Sequence, residues 1–143
     1  MLHTITQPND YLLNLIKDDP VRPEIPLGDR VNSNSRIYVW KQGEETAAVT
    51  CVKFLESVPA AVEDMAELVE SATTAVFYTI WSYAAGAGKS LITKAQAQIR
   101  EEHPEVDTFV TLSPKTELAR RFHHKNGAVT YRENADTVNY LYK

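Results

Sequence analysis

At 143 residues, 43% of them hydrophobic and 24% charged, the chain has the composition of a soluble globular protein and the length for one sizeable core. A net charge of −4 and a pI near 5.5 exclude a nucleic-acid binder that works through a general basic surface. The single cysteine, Cys51, excludes an internal disulfide and fits a reducing, cytoplasmic setting. No apolar stretch reaches the roughly 18 residues of a membrane span, and MLHTITQPND lacks the basic start and apolar core of a secretory signal.

Asn9 is placed to cap a short helix with Leu12, Leu13 and Ile16 on one face, which Asp18-Asp19-Pro20 stops. Pro20, Pro23 and Pro26 make residues 20–35 an extended, irregular stretch, long enough to be a lid or a wrap over the surface. Residues 36–41 (RIYVWK) and 46–54 alternate and are rich in β-branched and aromatic side chains. Gln42-Gly43-Glu44 between them predicts an antiparallel hairpin. Cys51 reads as a small buried residue and not a nucleophile, because no polarising neighbour stands beside it in that strand. Pro59 opens a predicted helix with Val62, Met65, Leu68 and Val69 at helical spacing.

Residues 75–81 form a nearly continuous apolar run, the pattern of a central strand. Gly86-Ala87-Gly88 is a turn, and 90–102 a helix with Leu91, Ile92, Ala95 and Ile99 turned inwards. A strand that ends in a glycine-rich turn opening a helix gathers free backbone N–H groups. The positive end of the helix dipole points the same way, so Gly86, Ala87, Gly88, Lys89 and Ser90 form a candidate phosphate cradle. Residues 106–112 are the next strand. A helix starts at Ser113 or Pro114 and ends at Asn126-Gly127, and 129–132 and 138–142 are two last short strands. The last helix returns a proton-handling side chain, His123, towards the turn. The order of elements predicts one domain over 1–143, a mixed α/β (α+β) sheet with helices on both sides.

The cradle is neither of the two common nucleotide turns. A P-loop needs glycine where Tyr83 stands, and the dinucleotide turn needs its third glycine where Leu91 stands. Tyr83-Ala84-Ala85-Gly86-Ala87-Gly88 resembles instead the pyrophosphate turn Gln/Arg-x-x-Gly-x-Gly/Ala of the GNAT acyl-CoA transferase superfamily, with tyrosine where Gln or Arg is usual. Residues 119–128, ARRFHHKNGA, are similar to that superfamily's Ala-x-x-Phe/Leu-Tyr-x-x-x-Gly-Phe, with His123 at the tyrosine. From residue 36 to 142 the sequence further resembles the catalytic, C-terminal domain of malonyl-CoA decarboxylase. Four motifs stand in that family's order: Phe77-Tyr78-Thr79-Ile80, FVTLSP at 109–114, FHHKNGA at 122–128, and Val138-Asn139-Tyr140-Leu141-Tyr142. The family's strand-4 serine is Thr79 here, and the turn around Gly86 is shorter. A long helical insert ahead of the histidine motif and the family's N-terminal helical domain have no counterpart in these residues.

The resemblance implies a GNAT-like fold, a mixed and mainly antiparallel sheet flanked by helices. It implies an enzyme that acts without a metal on a coenzyme A or acyl-carrier-protein thioester, with decarboxylation of a malonyl group ahead of other reactions. Thr79 and His123 are then the reacting pair, their roles undivided; a small relative of this fold that decarboxylates carrier-bound malonyl uses the same Thr/His pair. Backbone N–H groups at Trp81 and Ser82 would meet the thioester carbonyl, Gly86 to Ser90 the pyrophosphate, and Asn126 the pantetheine arm. Two other readings stay open. One is acyl transfer from acetyl-CoA to an amine, with Glu44, Glu56 or Glu63 as base; the other is a non-catalytic acyl-CoA-binding module. His, Cys and carboxylates show no metal-ligand spacing. Edge-strand pairing, common in this fold, makes a homodimer an expectation, with neither nucleic acid nor membrane as partner.

Overall fold

The computed structural model describes residues 1–7, 11–66 and 69–143, with backbone alone at 11–13. Asn9 and Leu68, and the side chains of Leu12 and Leu13, lie outside the described residues. Eight strands make one sheet among them: β1 (Leu2–Ile5), β2 (Ser35–Gln42), β3 (Glu45–Leu55), β4 (Thr74–Ser82), β5 (Thr108–Thr111), β6 (Ser113–Pro114), β7 (Val129–Glu133) and β8 (Thr137–Tyr142). Two α-helices, α1 (Ala87–Glu102) and α2 (Glu117–Lys125), follow β4 and β6. The strand order is β1-β2-β3-β4-β5-β8-β6, with β7 on β8. All pairs are antiparallel except β4 with β5.

The sheet carries a core on each face. Leu91, Ile92, Ala95 and Ile99 of α1 pack with Tyr38, Phe54, Phe77 and Phe109 on one face, as the 3.6-residue spacing requires. The opposite face, with Ile37, Val49, Cys51 and Val76, meets Leu15 and Ile16 of a 3-10 helix (Tyr11–Asp18) and Ile25 and Val31 of the proline-rich segment. That face therefore has no α-helix among the described residues: the second layer predicted as helices is a 3-10 helix and an extended loop. The hairpin β2–β3 forms around Gly43, whose φ of 65° suits glycine.

Several predicted boundaries move. Residues 2–5, where no strand was foreseen, form edge strand β1 on β2. The helix expected from Pro59 is only a 3-10 turn, Val62–Met65. The backbone carbonyls that a helix would use are taken by side chains: Arg132 donates to Val58, Asn139 to Pro59 and Thr137 to Ala60, at 3.1, 3.0 and 2.6 Å. Ser113 and Pro114 pair with β8, and α2 begins three residues later, capped by Thr116, whose Oγ1 accepts from the Ala119 N–H at 3.2 Å.

Candidate active site

The parallel ladder between β4 and β5 joins only Thr74 to Phe77 with Thr108 to Thr111. Beyond it β4 runs on for five residues while the chain after β5 turns aside, and the strands part. The gap is a mainly apolar cavity of about 370 Å³. Thr79, Ile80, Trp81 and Ser82 line one side, Ser113, Pro114, Phe122 and His123 the other, and Pro20 and Val21 of the proline-rich segment close it.

A β-bulge shapes the wall. Cys51 pairs with Thr79 but Val52 pairs with Phe77, leaving Tyr78 extra. Phe77 and Ile80, three apart, pack on the α1 face, whereas Tyr78 and Trp81 pack on the loop face. The bulge thus breaks alternation at Thr79 and turns its hydroxyl to the loop side, where it donates to Asp19 Oδ1 at 2.8 Å. The Thr79 carbonyl accepts from Thr50 Oγ1 at 2.7 Å, and the Tyr83 N–H donates to Ala47 O at 2.7 Å. Antiparallel alternation then turns the N–H of Thr79 and Trp81 towards β3, and those of Ile80 and Ser82 into the gap. Of the two residues expected to offer an N–H, Ser82 turns it into the gap and Trp81 turns it towards β3; Ile80 is the other whose N–H faces the gap.

His123 is 3% exposed. Its Nδ1 and the Tyr142 hydroxyl lie 2.6 Å apart, and its ring stacks on Tyr140 at 5.2 Å. Burial, aided by the charge of neighbouring His124, pushes its pKa down to about 4, so the ring is neutral at pH 7. Burial pushes the Tyr142 phenol well above 10, so it keeps its proton. Tyr142, the last residue of the Val138–Tyr142 motif, is a direct partner of the histidine.

The cradle residues divide. Gly86 has φ 77° and caps α1, which begins at Ala87 and not at Ser90. The helix leaves the N–H groups of Gly88 and Lys89 without intrahelical acceptors. Gly88 alone of the five lines the cavity, and a Cβ there would stand 2.9 Å from the Phe122 ring, so glycine permits α1 and α2 to meet. Gly86, Ala87, Lys89 and Ser90 are outside the lining, on the rim of the helix end. Asn126 is also outside it: its Nδ2 donates to the Phe122 carbonyl at 2.8 Å and its buried Oδ1 has no partner among the described residues.

Asp19 and Arg30, neither singled out by the sequence, form a buried ion pair of 2.7 Å behind Thr79. Burial raises the Asp19 pKa, but the N–H of Arg22, the Arg30 side chain, the N–H of Val21 and Thr79 outweigh it and hold the carboxyl below its usual 3.8. Cys51 is fully buried as expected, its thiol pushed up to about 11 by burial, with Arg30 Nη1 3.6 Å from its sulfur. Among the described residues no three His, Cys, Asp or Glu side chains cluster closely enough to hold a metal ion. Glu44, Glu56 and Glu63 do not line the cavity.

A strand bulged beside a parallel pair that parts, followed by a glycine turn into a helix, is the GNAT fold. The chain is similar to a Bacillus subtilis acetyltransferase solved with CoA (TM-score 0.67, 16% identity, 99% of this chain and 97% of that one). It belongs to the malonyl-CoA decarboxylase C-terminal domain family, which matches residues 46–142. Solved malonyl-CoA decarboxylases from Agrobacterium vitis (TM-score 0.72, 25% identity, 85% of this chain) and Cupriavidus metallidurans (TM-score 0.77, 20% identity, 99% of this chain) are similar. The chain spans 35% and 60% of their lengths. No curated protein matches the sequence.

Proposed function

We propose that the protein is an enzyme that binds a coenzyme A thioester between β4 and β5 and decarboxylates a malonyl group there, with Thr79 and His123 as the reacting pair. One observation carries the reading: Thr79 and His123 line a single apolar cavity that ends at Gly88, on the helix terminus suited to phosphate.

The proposed step breaks the bond between the carboxyl carbon and the methylene. The electron pair moves onto the thioester oxygen, CO₂ leaves, and a proton added to the carbon gives the acetyl thioester. In the tautomer in which the Tyr142 O–H donates to Nδ1, 2.6 Å away, the neutral His123 ring carries its proton on Nε2 and offers that N–H to the developing oxyanion, while the proton that ends on the carbon is taken up from solvent. The Ile80 and Ser82 N–H groups are aimed at the same gap. Such donors are worth about 10²–10³ in rate each. Among the described residues no Lys or Arg lines the cavity, so a carboxylate entering it loses water without gaining a counter-charge, which favours its departure as CO₂.

Amine acylation is less well supported, since no carboxylate base lines the cavity among the described residues. The test is to incubate the pure protein with malonyl-CoA and no acceptor. Acetyl-CoA and CO₂ are expected. Free CoA released only when an amine is added, or tight binding without turnover, would overturn the reading in favour of acyl transfer or of a binding module.

A further inference from the structure

The structure assigns Asp19 as the positioning residue for Thr79: its carboxylate takes the only hydroxyl proton of the threonine and so fixes which side of that oxygen meets the cavity. This rests on the reading of Thr79 as one of the reacting pair.

Asp19 Oδ1 accepts three hydrogen bonds, from Thr79 Oγ1 at 2.8 Å and from the N–H groups of Val21 and Arg22 at 2.8 and 3.0 Å. Oδ2 accepts from Arg30 Nη1 at 2.7 Å. All four partners donate and an ionised carboxylate has no proton to return, so the hydroxyl hydrogen of Thr79 points at Asp19. Its lone pairs are what remains for the cavity, where they face the malonyl carboxylate without a hydrogen bond and add to what favours its departure as CO₂.

The carboxylate is 4% exposed and Arg30 0% exposed, a placement that a charge tolerates only when paired. Arg30 also donates to Ile25 O at 2.9 Å and to Arg22 O at 2.5 Å, so one guanidinium ties the proline-rich loop to itself and to the carboxylate. The same loop supplies Pro20 and Val21 to the cavity wall. Asp19 lies ahead of residues 46–142, so the hydroxyl at the heart of the family-matched region is oriented from outside it.

Asp19→Asn tests the assignment. The buried, charged Arg30 keeps the amide oxygen, so the NH₂ of asparagine faces the three donors on Oδ1 and the hydroxyl is released. The expected result is a kcat for malonyl-CoA about tenfold lower or more, with KM changed less than about threefold. In a Thr79→Val background the same substitution is expected to leave kcat within about twofold, because the hydroxyl it would release is already gone. Equal fold-losses in both backgrounds would overturn the assignment as a general structural effect.

NMR of the unmodified protein decides independently of folding of the variant and of turnover. A Thr79 hydroxyl proton protected from solvent exchange is expected, and one that exchanges freely overturns the assignment even if malonyl-CoA is consumed. A protected hydroxyl in a protein that leaves malonyl-CoA intact sustains Asp19 as the anchor of that hydroxyl and defeats the proposed reaction instead.

Discussion

At the residue scale the informative contrast is between the two partners of the proposed pair. Each has a hydrogen-bonding neighbour from a different part of the chain: Thr79 has Asp19, His123 has Tyr142. Removing the imidazole by His123→Ala is expected to lower kcat by about 10²–10³ while CoA still binds, measured by turnover and calorimetry. Unchanged turnover would remove His123 from the chemistry. Tyr142→Phe keeps the ring and loses one hydrogen bond, which frees the imidazole to adopt either tautomer. A fall in kcat of about tenfold is expected, with little change in melting temperature.

At the element scale the site is made by a bulge, a short parallel ladder and a close helix crossing. Gly88→Ala places a methyl where the Phe122 ring edge lies 2.9 Å away. The ring, which lines the cavity, must shift to make room. The expected outcome is a folded protein with a raised KM for the thioester, read by steady-state kinetics beside a thermal melt. Strands β2–β5, β7 and β8, the glycine turn and the histidine helix were legible in the sequence because alternating or continuous apolar runs, Gly86-Ala87-Gly88 and Asn126-Gly127 are local signals. The bulge at Tyr78 was not: it is a disagreement in register between β3 and β4, and neither strand records it alone. Nor was the Pro59 helix recognisable as false, since the groups that capture its carbonyls sit more than 70 residues further on. Asp19 read as a helix stop for a similar reason. Its partners Arg30 and Thr79 are 11 and 60 residues away.

At the scale of the whole molecule, burial of a neutral histidine links stability to pH. The folded pKa of His123 is about 4, below its ordinary 6.5, so its contribution is present in full above pH 6.5 and is lost as pH falls through about 4. The difference corresponds to about 3 kcal/mol at the acid end. Denaturant midpoints between pH 7 and pH 4 should therefore fall more steeply for the natural protein than for His123→Gln. Parallel curves would mean that the imidazole is not the group responsible. Arg30→Met strands the Asp19 carboxylate, and a loss of about 3–5 kcal/mol is expected from urea unfolding at pH 7.

The parting of β4 from β5 leaves a half-finished edge in the interior. Ile80 and Ser82 turn main-chain groups towards a space with no strand in it, and apolar walls offer them little in exchange. An extended guest with amides spaced along its length would act as a temporary ninth strand. Ligand entry and completion of the sheet would then be one event, and deuterium uptake at 80 and 82 should slow on binding while the four-pair ladder below them stays unchanged.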